Sequence, residues 1–231
     1  MQQLSPNCRM RGFSLLEMVI SVAVLMVVMG TIFDQIVLMQ RKAASESSKV
    51  DLMQASRDFV DETVRDLHMA GYPNSQMFSP LVNDQSRWAR GLVSVSPSQV
   101  VIEGDVNGDG NVESVTLAYV DSDPNDPNCP CLRRGAVGKI NADSLAQPQP
   151  ATYTEIQHVV PPAQAGQDIF TFYKQTGDLV DVTGGADFSN NPDKIASIST
   201  VKVNLTVQNG TDAATGQMLT NSFSAIARLD Q

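Results

Sequence analysis

The sequence predicts an α+β chain: a long amino-terminal helix, half of it transmembrane, packed on an antiparallel β-sheet. Three observations predict this. Residues 13–33 form an apolar run broken by one charge, Glu17. No proline occurs between Pro6 and Pro73, so a helix begun in the run is free to continue. After Pro80 the chain changes to short runs rich in Val, Ile and Thr, separated by turn residues.

The apolar run comes first. Its 21 residues, at about 1.5 Å rise each, reach ~30 Å, the thickness of a bilayer's hydrocarbon core. Arg9 and Arg11 precede it and no basic residue follows until Arg41. The positive-inside rule therefore places residues 1–12 in the cytoplasm and the chain beyond Phe33 on the other side. A secretory signal peptide has a shorter apolar region followed by a small-residue cleavage site; here the small residue, Gly12, lies ahead of the run. A plain anchor explains the length but not Glu17, because a carboxylate in hydrocarbon is costly unless paired or protonated.

Arg11-Gly12-Phe13-Ser14-Leu15-Leu16-Glu17 resembles the class III signal of type IV prepilins. The resemblance implies cleavage by a membrane prepilin peptidase between Gly12 and Phe13, N-methylation of Phe13, and a role in assembly for Glu17. It divides the chain into a cleaved leader (1–12), a transmembrane and filament-core helix (13–35), an amphipathic continuation (36–71) and a β-rich globular domain outside the inner membrane (72–231). In a filament, Glu17 of an incoming subunit would neutralise the terminal amine of a neighbour in an apolar core, where opposite charges attract strongly. Asp34 stands where major pilins commonly carry a proline, which leaves Gly30 as the weaker place for the helix to loosen.

Uninterrupted, the helix runs from Phe13 to about Met69, ~85 Å of rise. In its second half Ala43, Val50, Met53, Val60, Val64 and Leu67 recur on one face of a 3.6-residue period. Lys49, Asp51, Arg57, Asp58, Asp61, Glu62 and Arg65 are left for solvent or neighbouring subunits. Gly71 and Pro73 end the helix. His68, in the last turn, sits favourably near the negative helix end.

Strands are expected over 92–95, 99–103, 112–120, 154–160, 169–173, 198–207 and 222–229. Val201, Val203, Leu205 and Val207 alternate with polar residues, as do Phe223, Ala225, Ala227 and Leu229, so each run should bury one face. The sheet is expected to be antiparallel, since no second helix is long enough for a crossover. Residues 121–150, with five prolines, read as an irregular insertion. The helix ending Arg65-Asp-Leu-His-Met-Ala-Gly-Tyr72 and the Asp-Gly-rich turn before Val112-Glu-Ser-Val-Thr116 are similar to PilW-type minor pilins; pseudopilin J of type II secretion shares the general plan.

Composition narrows the function. There are 16 basic and 25 acidic side chains, for a net charge of −9; loss of Arg9 and Arg11 with the leader would take it to −11. So acidic a chain, with no basic patch, is a poor nucleic-acid binder. No nucleophile elbow, phosphate-cradling loop or zinc-protease helix is present, and nothing suggests an enzyme.

Two constellations remain. Asp105, Asn107, Asp109, Asn111 and Glu113 match positions 1, 3, 5, 7 and 9 of an EF-hand calcium loop, with Gly110 at position 6. Position 12, which should be a bidentate Glu, is Thr116. The same residues read first as the tip of a β-hairpin alone, and second as a hairpin with bound calcium. Cleavage would remove Cys8 and leave Cys129 and Cys131 as a disulfide, two free thiols, or half of a metal site.

The resemblance implies a minor pilin: a structural subunit that waits in the inner membrane as a single-pass protein, carboxyl-terminal domain in the periplasm, and then joins an extracellular type IV pilus. Its partners would be other pilins, through the amino-terminal helices, and the inner-membrane assembly machinery. A type II secretion pseudopilin and a calcium-binding adhesive subunit on a pilin anchor are the alternatives.

Overall fold

A computed structural model of the 231-residue chain describes residues 14–78, 85–211 and 218–229. Gly12 and Phe13 therefore lie outside the described residues. The chain divides into two compact units, 1–48 and 49–231. One helix, α1 (Leu15–Met69), supplies the described part of the first unit and continues into the second.

In the first unit every described side chain is exposed, including Leu15, Met18, Ile20, Val24 and Phe33. Its helix is long and apolar enough to cross a membrane by length and composition. An apolar surface of that extent is unfavourable in water and suited to hydrocarbon or to packing against other helices.

In the second unit α1 turns one stripe inward. Ser56, Phe59, Val60, Thr63, Asp66 and Leu67 are buried, and Leu52 and Val64 pack against the core. The expected stripe is thus correct at Val60, Val64 and Leu67, but Val50 is 59% exposed and Ala43 lies on the surface. The period continues toward the amino terminus, where every described side chain ahead of Lys49 is exposed. Gly71, at a φ of 88°, turns the chain out of the helix, and its N–H donates to the Glu103 carbonyl at 2.9 Å. A side chain is strained in that left-handed region, so glycine belongs there.

Two antiparallel sheets follow, where the sequence suggested one. The first contains β1 (Gly91–Val95), β2 (Gln99–Gly104), β3 (Glu113–Val120), β4 (Cys131–Gly138), β5 (Tyr153–Ile156) and β8 (Ala186–Asp187), in the order β5-β4-β3-β2-β1-β8. The second contains β6 (Phe170–Tyr173), β7 (Leu179–Val180), β9 (Thr200–Thr211) and β10 (Met218–Arg228), in the order β10-β9-β6-β7. Short helices α2 (Pro162–Ala165) and α3 (Pro192–Ser197) and single 3-10 turns at Ser75–Met77, Gln85–Arg87 and Ser144–Ala146 complete the elements among the described residues.

The reading of 121–150 as irregular needs correction. Cys131–Gly138 is an internal strand, paired along its length with β3 and flanked on its other side by β5. Arg133, Arg134 and two glycines hide it, because the arginines find carboxylate partners instead of solvent. The expected strand 154–160 stops at Ile156, and beyond it Val159 makes an isolated bridge to Val207. In β9 and β10 the alternation is as read: Val201, Val203, Leu205, Val207 and Ala227 are fully buried. Phe59 and Leu67 of the helix, Ile102, Leu117 and Leu132 of the first sheet, and Phe170, Phe172 and Leu205 of the second belong to one core. The architecture is α+β, and its plan is consistent with the pilin fold.

Candidate functional site

The acidic loop connects β2 to β3, and its side chains fold back on their own backbone. Asp105, 4% exposed, accepts from the N–H of Gly108 (2.8 Å) and Asp109 (3.1 Å) at Oδ1 and from Gly110 (3.0 Å) at Oδ2. Asn107 Oδ1 accepts from Asp109 N–H at 2.8 Å, and Asp109 Oδ1 from Asn111 N–H at 2.8 Å. Gly108 and Gly110 take φ values of 76° and 87°, which allows these turns. Glu113 joins from the first residue of β3: its Oε2 accepts from Val106 N–H at 3.1 Å and its Oε1 from Asn107 Nδ2 at 3.2 Å.

The loop thus gathers Asp105, Asn107, Asp109 and Glu113, with Asn111 at its rim, while Thr116 is buried within β3. Burial, with Asp109 and Asp105 adding repulsion, pushes the Glu113 carboxyl above its ordinary value. Hydrogen bonds from Asn111, first its backbone N–H, hold Asp109 below its own. Asp105 Oδ1 and Asp109 Oδ1 each accept two bonds. Asp105 Oδ2, Asp109 Oδ2 and both Glu113 oxygens accept one and keep a lone pair, a donor set that fits a hard cation such as calcium, which takes oxygen ligands and water.

Glu17 occupies the first turn of α1, in the other unit. Its N–H donates to the Ser14 carbonyl at 3.0 Å and its own carbonyl accepts from Ser21 Oγ at 2.7 Å. Its side chain is exposed among exposed apolar neighbours. The family model for the prokaryotic N-terminal methylation motif matches residues 7–33, the stretch that carries Gly12, Phe13 and Glu17. The chain carries a prokaryotic N-terminal methylation motif. The motif supports a type IV pilin-like or pseudopilin protein that takes part in pilus or secretion assembly, anchored in a membrane and processed by prepilin peptidase. The motif also points to a structural subunit rather than an enzyme. No curated protein and no solved structure shows significant similarity to the chain.

Apart from the methylation motif, the structure joins Cys129 and Cys131 in a disulfide at the start of β4. Asp126 lies within 4.8 Å of both sulfurs, but disulfide sulfurs offer no thiolate to a metal. Asp126 is engaged by Thr154 Oγ1 at 2.6 Å and Arg133 Nη2 at 3.2 Å, and these contacts with Asn128 hold its carboxyl at about 2.

Besides the Arg133 contacts with Asp123 and Asp126, ion pairs of Arg134 and Lys139 escaped the sequence reading. Arg134 Nε meets Asp66 Oδ2 at 2.8 Å and its Nη2 meets Oδ1 at 3.2 Å, tying α1 to β4. Lys139 Nζ meets Glu103 Oε2 at 2.7 Å, both side chains buried, and also donates to the Trp88 carbonyl at 3.0 Å. Neither pair is close in sequence, and a lone Lys or Asp carries no local sign of its partner.

Proposed function

We propose that this chain is a minor pilin, a low-abundance structural subunit of a type IV pilus similar to the PilW type. The observation that carries the proposal is a carboxylate, Glu17, at the fifth position after a glycine–phenylalanine junction, at the head of an otherwise apolar helix. Cleavage after Gly12 frees the amine of Phe13, which is methylated, and the amine and Glu17 are the only charges near that end of the mature helix. Pairing Glu17 with a neighbour's amine sets the axial register of helices packed in a low-dielectric filament core. Before assembly the chain spans the inner membrane once, residues 1–12 in the cytoplasm and residues 72–231 in the periplasm.

The test is an intact-mass measurement together with Glu17→Ala. The mature chain should begin at a methylated Phe13, and the variant should stay in the membrane and drop out of sheared fibres. A native chain that keeps its leader, or a variant that enters fibres normally, overturns the reading. A type II secretion pseudopilin has the same amino-terminal logic; in that case deletion leaves surface fibres intact and strands secreted substrates in the periplasm.

We also propose that the loop of Asp105, Asn107, Asp109, Asn111 and Glu113 binds calcium, which an adhesive subunit would meet outside the cell. Because Glu113 holds its proton above the ordinary carboxyl range, affinity should fall as pH drops through that raised value. Millimolar calcium should raise the melting temperature at neutral pH, by less in mild acid, and not at all in Asp105→Asn. An unchanged melting temperature at neutral pH removes the metal.

A further inference from the structure

The two sheets have four edges, and three of them are short: β5 has 4 residues, β7 has 2 and β8 has 2. The fourth, β10, has 11 residues and, among the described residues, pairs with β9 alone. Proteins commonly protect a long edge with Pro, Lys or an inward charge. β10 has none of these, and Arg228 is its one charged residue.

The direction of its backbone groups follows from β9. Asn204 N–H donates to the Ile169 carbonyl, the Thr206 carbonyl accepts from Val160 N–H, and Gln208 N–H donates to the His158 carbonyl. The even-numbered residues of β9 therefore point away from β10, and its odd-numbered residues point toward it. Their partners are Asn221 opposite Val207, Phe223 opposite Leu205, Ala225 opposite Val203 and Ala227 opposite Val201. Thr220, Ser222, Ser224 and Ile226 must then turn both N–H and C=O to the outer side, where they have no partner among the described residues. All four side chains are exposed, Ile226 at 62%.

A row of donors and acceptors at every second residue is complementary to another extended backbone. We propose that the occupant is a second copy of this chain, the two β10 strands pairing antiparallel about a two-fold axis beside Phe223. That register sets Thr220 opposite Ile226 and Ser222 opposite Ser224, each pair exchanging both of its bonds, and sets the two Phe223 rings side by side on the core face. The segment 218–227 carries no charge, so two copies of a chain of net charge −9 meet there without the local repulsion they would meet across an acidic surface. The other edges of the chain are too short to receive β10. The pairing does not depend on the function proposed above.

The test uses the full chain in nonionic detergent, by sedimentation equilibrium and amide hydrogen exchange. The wild type should be dimeric at micromolar concentration, and dilution should deprotect the amides of residues 220, 222, 224 and 226 while 221, 223, 225 and 227 stay protected. Ser224→Pro removes an outward N–H and no backbone bond to β9, so it should be monomeric with an unchanged far-UV spectrum; Ser224→Ala, which loses the same Ser224 Oγ bond to Asn204 Oδ1 at 3.5 Å but keeps the N–H, stays dimeric. A wild type monomeric at every concentration, or Ser224→Pro as dimeric as the wild type, overturns the proposal; the second result would assign association to another surface, such as the apolar helix. Should Ser224→Pro fail to fold, fast exchange of the four even-numbered amides in the undiluted wild type overturns it by itself.

Discussion

Asp66 brings a carboxylate into the core on α1, and Arg134 reaches across from β4 to meet it with two nitrogens. Removing one member of such a pair leaves the other charge buried. Arg134→Ala should therefore cost about 3 kcal/mol, read by chemical denaturation, and Asp66→Asn less, because an amide needs no counter-charge. Burial raises the Asp66 carboxyl above its ordinary 3.8 although Arg134 opposes the shift. The folded chain thus holds that proton more tightly than the unfolded chain. This contribution favours the fold below pH 3.8 and is lost as pH rises through the raised value. Asp126 has the opposite sign: hydrogen bonds from Thr154 and Asn128 hold it at about 2, so its contribution is present above 3.8 and lost as pH falls toward about 2. Thermal melts of Asp126→Asn across that acid range should show a shallower decline than those of the wild type.

At the scale of elements, the joint between α1 and β2 has no spare room. Ala70 bridges Gly104, and a Cβ on Gly104 would press into the Met69 carbonyl and the Ala70 nitrogen. The obstructing atoms are backbone, which cannot rotate away as a side chain would. Gly104→Ala should destabilise by roughly 2–3 kcal/mol, as overpacking does in a filled core, and a lowered denaturation midpoint would show it. Gly138, where a Cβ would meet nothing within 4 Å, is the control and should tolerate alanine far better. How far each element was legible depends on where its signal lies. The end of α1 was legible because Gly71 and Pro73 are local signals. Strands β9 and β10 were legible because their alternation is local as well. β4 was not, because Arg133 and Arg134 look solvent-seeking until the turn ahead of the strand folds Asp123 and Asp126 back onto Arg133 and the helix brings Asp66 to Arg134 from far along the chain.

At the scale of the whole molecule, the two units have different solvents written into them. Residues 14–48 expose apolar side chains throughout, whereas 49–231 close around a shared core of Phe, Leu, Ile and Val from one helix and two sheets. The first property was readable from composition alone. The second was readable only as a class, α+β, because dividing strands between two sheets depends on long-range pairing that no single run encodes. For the acidic loop, spacing named all five residues; what the structure adds is that Glu113 turns inward and Asp105 is enclosed by N–H groups.

The chain contains one tryptophan, Trp88. Its carbonyl accepts from Lys139 Nζ, whose ammonium lies 5.2 Å from the centre of its ring, and the Lys139 backbone N–H donates to Val112, beside Glu113, at 2.7 Å. The molecule therefore holds a native fluorophore two contacts from the acidic loop. Its emission should report any rearrangement there in unlabelled protein, through the changing field of the Lys139 ammonium against the Arg90 guanidinium, 5.7 Å from the same ring.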